Sequence, residues 1–403
     1  MKFPTRFLFY SHDSYGLGHL RRTLLIAEAL VAAWPRASVV CLTGSPAPEL
    51  FQLPPRCELI RMPAITKDRA GGYVPRNLPL PLREVLAIRS AMISGALRAF
   101  RPDTMLVDHA AIGPGGELLP VLRRLRYEAP HMRLVLGMRD ILDAPERARL
   151  QMAEGETAAA LAQIYDEILV YGDPQIMDVA HEYGLADAVR RKTRYVGVVC
   201  ARTDAAAVAP RAERDPAHIV VGAGGGEDGY ELLRGVLGAL RGPLRDAALR
   251  ATLAAGPLMP LERRAALERA TQRDPRLQLL PMTRDMAGLV ASADLVIGMG
   301  GYNSVYEALE RGCRLLVMPR VWPRLEQQER AQRLHALGLL DVLPPGDAAN
   351  PEAVATAIRA ALLRGGPARA GGVRFDGAQR VAARLCRSVA EVNPGSASME
   401  SAS

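Results

Sequence analysis

A strand–turn–helix–strand pattern over residues 293–319 constrains the fold of this chain more than any other feature. Residues 294–298 start with an aspartate and continue as a short apolar run, which is typical of a buried parallel strand. The run breaks at Gly300 and Gly301, and a second buried strand is predicted over residues 314–319, after an intervening helix. Adjacent parallel strands require such a crossover helix, so the pattern predicts an α/β fold.

The glycine turn in this pattern is suited to binding an anion. A helix is predicted over residues 305–310, with Asn303 or Ser304 as its N-cap and Glu307 in its first turn. Unpaired N–H groups and the helix dipole both favour negative charge at such a turn. Glycine turns precede helices in many α/β domains, so the turn taken alone leaves a purely structural role open.

The longer run to residue 334 resembles the donor-binding half of GT-B glycosyltransferases, specifically the family that makes the lipid-linked peptidoglycan disaccharide. The residues that carry the resemblance are Ala293, Asp294, Gly300, Gly301, Ser304, Glu307, Pro319, Gln327, Gln328 and Ala331. The resemblance implies that Glu307 binds the ribose of the donor nucleotide and that Gln327 and Gln328 contact the donor sugar. The chain departs from the family at Arg330, where an asparagine is usual.

A second glycine-rich loop lies upstream, over residues 222–229. In the GT-B pattern the corresponding loop lies against the donor diphosphate, which makes Gly224, Gly225 and Gly226 candidates for that contact. The spacing also fits a dinucleotide fingerprint, but the next predicted strand, residues 251–254, lacks the acidic ribose ligand at its end. Further on, Met282 lies in a segment that resembles the family's loop whose backbone reads the uracil edge.

The first half of the chain carries a candidate catalytic histidine. A strand over residues 7–10 leads into a turn that contains Gly16, Gly18 and His19, and a helix is predicted over residues 20–33. His19 would therefore lie above the carboxyl end of the first strand, where open α/β sheets bind ligands. An imidazole there is suited to take a proton from an attacking hydroxyl, although a histidine that only packs the turn remains the alternative.

The same turn carries a second resemblance. Peptidoglycan-type glycosyltransferases have Gly-Gly-His here, and the UDP-sugar hydrolases of pseudaminic acid synthesis have Gly-x-Gly-His-x-x-Arg, which this chain matches through Arg22. In the hydrolases the histidine activates water. Polar residues at the turn and at later strand ends are candidates for the acceptor side: His12, Asp13, Gly16, Gly18, Arg22, Asp108, His109, Arg139 and Asp140. Residues 66–82 are predicted to form a mobile acceptor-side loop.

At 403 residues the chain is too long for one ordinary core. We predict two Rossmann-like, doubly wound domains that face each other across a cleft, as in GT-B. The predicted boundaries are an acceptor-side domain over 1–200, a linker rich in Ala, Asp and Pro over 201–216, a donor-binding domain over 217–377, a helix over 378–392 that crosses back to the first domain, and a disordered tail over 393–403.

The composition bears on three questions: whether the protein binds nucleic acid, which redox compartment it occupies and whether it spans a membrane. The net charge is +8, yet the basic residues are dispersed and no aromatic-rich pattern accompanies them, which argues against nucleic acid. The arginine-rich balance is consistent with genome composition, with phosphate-bearing ligands, or with an anionic membrane face. Five scattered cysteines without a Cys-x-x-Cys pair favour a reducing cytoplasm, and no apolar run reaches the length of a membrane span.

The sequence thus predicts a cytoplasmic glycosyltransferase that moves a hexose from a nucleotide sugar, most simply a UDP-sugar, to the hydroxyl of a carbohydrate, lipid-linked or small-molecule acceptor. It contains no Asp-x-Asp motif, so we expect a reaction without metal or other cofactor. Peripheral contact with the inner membrane face stays open. The alternatives are a UDP-sugar hydrolase, a non-catalytic nucleotide-sugar-binding protein and, more distantly, an epimerase of the same fold.

Overall fold

A computed structural model describes residues 5–12, 17–68, 71–153, 155–202, 216–283, 285–322, 324–364 and 372–392, with side chains to residue 386. The chain divides into two compact units, Met1–Cys200 together with Asp376–Ser403, and Ala201–Phe375. Most of the predicted linker and the whole predicted tail over 393–403 lie outside the described residues.

The first unit contains nine described strands. They are β1 (Thr5–Ser11), β2 (Ala37–Thr43), β3 (Cys57–Arg61), β4 (Ile65–Lys67), β5 (Tyr73–Pro75), β6 (Thr104–Asp108), β7 (Arg133–Arg139), β8 (Glu167–Tyr171) and β9 (Thr193–Tyr195). Seven of them form a parallel sheet in the order β3-β2-β1-β6-β7-β8-β9, while β4 and β5 pair as an antiparallel hairpin.

Helices connect these strands and cover the sheet. They are α1 (Gly18–Ala33), α2 (Leu82–Phe100), α3 (Leu119–Glu128), α4 (Pro145–Ala153), α5 (Gly155–Gln163), α6 (Val179–Glu182) and α7 (Asp187–Arg190), with a C-terminal helix that packs on α1 (Gly377–Val392, numbered α14 in chain order). Strand β1 lies inside the sheet, and its residues Phe7, Leu8, Phe9 and Tyr10 are all 0% exposed, as expected for a parallel strand between two helix layers.

The second unit repeats the same design. Its strands are β10 (Ala217–Gly222), β11 (Leu249–Ala254), β12 (Leu277–Leu280), β13 (Leu295–Gly298), β14 (Leu315–Val317) and β15 (Asp341–Val342). Its helices are α8 (Tyr230–Arg241), α9 (Leu261–Thr271), α10 (Met286–Ser292), α11 (Tyr302–Glu310), α12 (Glu326–Ala336) and α13 (Pro351–Leu363). The strands form one parallel sheet in the order β12-β11-β10-β13-β14-β15.

Both sheets are doubly wound, because the strand order reverses direction once in each. The reversal falls between β1 and β6 in the first sheet and between β10 and β13 in the second. Loops that leave two such strands diverge to opposite faces and open a crevice at their carboxyl ends, where ligands bind in this class of fold. The fold therefore marks one position in each unit for a functional site.

Three local predictions need correction. The segment over residues 66–82 is partly the β4–β5 hairpin, in which Gly72 N donates to Asp68 Oδ1 at 2.9 Å, so it is more structured than the predicted loop. Helix α11 begins at Tyr302, three residues earlier than predicted, with Gly301 as its N-cap and no side-chain cap. Neither Asn303 nor Ser304 is the cap, because the chain enters the helix through the extended backbone of Gly301.

Candidate functional site

The first candidate site lies where the strand order reverses in the first unit. Helix α1 starts at Gly18, so His19 and Arg22 lie one helical turn apart on the same face. Asp108 is the last residue of β6, the neighbour of β1 in the sheet. All three side chains are buried, and Arg22 and Asp108 are only 1% and 2% exposed.

The three side chains form one hydrogen-bonded group. His19 Nδ1 lies 2.6 Å from Asp108 Oδ2, and Arg22 donates to the same carboxylate from Nε at 3.1 Å and from Nη2 at 2.9 and 2.8 Å. Burial raises the pKa of Asp108, but the Arg22 and His19 charges outweigh it and hold that pKa well below its usual range. A carboxylate only accepts hydrogen bonds, so this contact favours a proton on His19 Nδ1, and Arg22 Nη2 lies 3.0 Å from the same nitrogen.

A tyrosine beneath the group fixes the arginine. The Arg22 guanidinium carbon lies 5.5 Å from the centroid of the Tyr171 ring, and burial raises the pKa of that phenol well above its usual value. Gly137 on the adjacent strand leaves room for the phenol, since a Cβ there would lie 1.7 Å from the Tyr171 oxygen. Arg22 is thus held between an aromatic ring and a carboxylate.

Two more of the predicted acceptor-side residues lie beside His19. The centroid of the His12 ring is 4.2 Å from that of His19, and the His109 ring is 5.4 Å from it. Burial and the adjacent His19 lower the pKa of His12 well below its usual value, so His12 is a neutral imidazole at neutral pH. Arg139 Nη2 lies 3.3 Å from His109 Nε2, which adds a cation to the edge of the cluster.

Three of the remaining predicted residues of the first unit are Asp140, Asp13 and Gly16. Asp140 is fully buried and its Oδ1 accepts the backbone N–H of Ile141 at 2.7 Å, a contact that shapes the loop after β7. Asp13 and Gly16 lie outside the described residues. His109 has a φ of +70°, an uncommon conformation for a residue with a side chain, directly after the strand that ends in Asp108.

The second candidate site lies at the corresponding position in the second unit, where β10 and β13 end side by side with Gly222 opposite Gly298. The loop after β10 depends on glycine. Gly226 has a φ of +97°, and a Cβ there would approach the Ala255 carbonyl oxygen to 2.6 Å. Gly224 is also left-handed at +60°, while Gly225 accepts the Leu258 N–H at 2.8 Å. The loop backbone thereby lies close against the segment that follows β11.

The turn after β13 has the geometry of an anion-binding turn. Gly300 has a φ of +82°, and Gly301 then enters α11, so the N-terminus of that helix follows directly after the turn. Ser304 is exposed and Asn303 is half-buried in this first turn. Glu307 is the sixth residue of the helix rather than part of its first turn, and only 3% of its surface is exposed.

Contacts around α12 add residues that the sequence did not single out. Arg320, in the loop after β14, donates to Asp228 Oδ2 at 3.0 Å and to Glu326 Oε1 at 3.4 Å, and so joins the β10 loop to the start of α12. Gln327 is buried, and its Oε1 accepts the Arg320 backbone N–H at 3.0 Å. Gln328 is half-buried.

No local sequence signal identifies this network, because its members come from three separated segments. Met282 follows β12 and is 42% exposed.

In the part of the chain that the structure describes, no group of three or more His, Cys, Asp or Glu side chains is arranged to hold a metal ion. Within the same residues, no helix combines the length and the apolar character that crossing a membrane requires.

Comparison with known proteins identifies the fold. No protein-family model matches the chain, and no curated protein matches it by sequence. Among solved structures, MurG of Acinetobacter baumannii is 15% identical over 95% of this chain and 100% of its own, with a TM-score of 0.62. A UGT transferase from Siraitia grosvenorii, solved with UDP, is 14% identical over 97% and 96%, with a TM-score of 0.60.

A protein from Listeria monocytogenes assigned as a UDP-N-acetylglucosamine 2-epimerase is similar to the same degree, 14% identical over 97% of each chain with a TM-score of 0.61. Identities this low establish the fold and not the reaction. The predicted α/β architecture of two Rossmann-like units, the GT-B fold, is confirmed.

Proposed function

We propose that this protein is a glycosyltransferase that moves a hexose from a UDP-sugar to an acceptor hydroxyl, with His19 as the general base. The observation that carries the proposal is the 2.6 Å contact between His19 and Asp108 at the point where the first sheet reverses its strand order. The GT-B fold supports it, because solved structures that share this fold include a transferase bound to UDP and a calicheamicin glycosyltransferase.

In this mechanism His19 Nε2 takes the proton of the acceptor hydroxyl as that oxygen bonds to the anomeric carbon of the donor. The bond from the anomeric carbon to the diphosphate breaks, and UDP leaves with the bonding electrons. Asp108 fixes the tautomer of His19 and stabilises the imidazolium that forms, in the way that a buried carboxylate supports a catalytic histidine. Arg22 keeps the carboxylate ionised and in place.

The second unit would hold the donor. Backbone amides at Gly224, Gly225, Gly226, Gly300, Gly301, Asn303 and Ser304, together with the α11 dipole, would stabilise the departing diphosphate without a metal ion. Glu307 would accept hydrogen bonds from the ribose, Gln327 and Gln328 would contact the hexose, and the Met282 loop would meet the uracil. Accordingly, we assign acceptor binding to residues 1–200 and donor binding to residues 217–377.

A UDP-sugar hydrolase is the second candidate. The Gly-x-Gly-His-x-x-Arg turn favours it, and the same His19–Asp108 pair would activate water equally well. Ligand binding alone does not require a histidine whose tautomer is set by a buried carboxylate, and this counts against a binding protein without activity. A cytoplasmic location, with a carbohydrate or lipid-linked acceptor at the inner membrane face, completes the proposal.

The test measures UDP release from a panel of UDP-hexoses, with and without a cell extract of lipids and oligosaccharides. We expect release that requires the extract and that falls about 100- to 10,000-fold in His19→Gln. His131→Gln is the matched control, because His131 is an exposed histidine of the same unit. Release at catalytic rates without extract would establish the hydrolase, and binding of UDP-sugars without any release would refute both reactions.

A further inference from the structure

Arg330 is a buried cation on α12 that contacts the glycine turn after β13. It has no exposed surface, its Nη1 donates to the Gly300 carbonyl oxygen at 2.9 Å, and its guanidinium carbon lies 5.6 Å from the centroid of the Tyr302 ring. The family that this chain resembles has an asparagine here that contacts the donor sugar. A side chain with no exposed surface does not reach a sugar, so Arg330 has a different task.

The geometry of the peptide bond indicates that task. In a trans peptide the carbonyl oxygen and the N–H of the next residue point in opposite directions. Because the Gly300 oxygen points at the Arg330 guanidinium, the N–H of Gly301 points away from that guanidinium. The direction of the hydrogen bond between Arg330 and the Gly300 oxygen therefore sets the direction of the Gly301 N–H.

Packing leaves this peptide little freedom to turn. A Cβ on Gly300 would lie 3.0 Å from Val317 Cγ1 and 3.3 Å from the Gln327 carbonyl oxygen, so α12 and β14 both lie against the turn. We propose that Arg330 is a positioning residue, which holds the Gly300–Gly301 peptide so that the Gly301 N–H is directed at the diphosphate of the nucleotide donor. The inference rests on the proposed function, since it concerns the same donor site.

Arginine suits this task better than lysine. Its planar guanidinium donates in a fixed direction while its face lies against an aromatic ring, whereas a lysine ammonium is a compact donor that does not stack. A charged donor also strengthens the hydrogen bond to the carbonyl relative to a neutral one. Arg330→Lys therefore keeps the charge and removes the directional contact, which isolates the positioning role.

The experiment compares the affinities of UDP and of uridine by calorimetry, with uridine measured by displacement. We expect Arg330→Lys to weaken UDP binding about tenfold, the loss of one charge-assisted contact, and to leave uridine within about twofold. Arg333→Lys is the control, a half-buried arginine on the same helix that pairs with Glu329 at 3.7 Å. Arg330→Gln, which keeps an N–H donor, replaces the lysine variant if thermal unfolding shows that variant to be unfolded.

The outcomes of this experiment distinguish the positioning role of Arg330 from the proposed function. Equal losses for UDP and uridine would show a general structural role and overturn the inference, as would wild-type UDP affinity in the folded Arg330 variant, with the proposed function left standing. If the wild-type protein binds neither UDP nor another nucleoside diphosphate, the proposed function fails and the inference fails with it. A selective loss of diphosphate affinity supports the inference.

Discussion

The substitution Asp108→Asn tests the buried group on which the proposed mechanism depends. Arg22 is 1% exposed and donates three hydrogen bonds to Asp108, so the substitution leaves a buried guanidinium without its counter-charge. Removing one partner of a buried ion pair costs about 3–5 kcal/mol. Asparagine keeps one acceptor oxygen, and we therefore expect a loss of about 3 kcal/mol, the lower end of that range.

The assay is urea unfolding of a double-mutant cycle with Arg22→Met, because removal of both partners relieves the buried charge. We expect the two substitutions to be coupled by at least about 1.5 kcal/mol, whereas sites that do not interact add to within about 0.5 kcal/mol. Additive losses would refute the buried pair. In activity assays kcat should fall about 100-fold or more, because the amide no longer fixes the His19 tautomer, with little change in donor KM.

The pH dependence of stability gives an independent check on Asp108. Its pKa is lower in the folded than in the unfolded protein, so its stabilisation is fully present above the unfolded-state pKa of about 4. That stabilisation is lost as the pH falls from there through the folded-state pKa. The stability difference between wild type and Asp108→Asn should shrink as the pH falls below about 4. A difference that persists undiminished to about pH 2 would contradict the assignment.

Four further substitutions test the packing and the donor site. Gly300→Ala should cost about 1–2 kcal/mol in thermal unfolding, because φ is +82° there, while Gly301→Ala, at −63°, should cost less. Glu117→Gln should cost about 3 kcal/mol in urea unfolding, because it leaves the fully buried Arg89 without the carboxylate 2.9 Å away, and a cost under 1 kcal/mol would contradict this. Glu307→Gln should weaken UDP binding about tenfold in calorimetry if the carboxylate accepts a ribose hydroxyl, and unchanged affinity would remove it from the site.

Local signals predicted those parts of the fold that local chemistry determines. Helix α13, Pro351–Leu363, follows strong local signals, because Asn350 caps it and a proline occupies its first turn. The start of α11 was wrong by three residues, since a glycine backbone rather than a side chain begins that helix. Helices α3 and α9 were not predicted, because the chain there is rich in charged residues and its apolar face is narrow.

The candidate sites show more clearly that local sequence signals do not predict contacts between distant residues. His19 was predicted as a base and Asp108 as a separate acceptor-side residue, and nothing local connects two residues that are 89 positions apart. Their contact follows from the strand order, which places β6 beside β1. Strand order depends on long-range packing that periodicity and turn signals do not encode, so a sequence read on its own identifies the members of such a site and not their pairing.

The net charge of the sequence does not show which arginines are buried. In the sequence the basic excess suggests an anionic partner, but the largest fully buried side chains of the described chain include Arg22, Arg89 and Arg330. Burial of a cation is costly unless its donors are satisfied, and these three donate to Asp108, to Glu117 and to the Gly300 carbonyl. Two of the three contacts lie at the reversal points of the two sheets. There the guanidinium hydrogen bonds orient the Asp108 carboxylate and the Gly300 carbonyl, an effect that a count of net charge does not show.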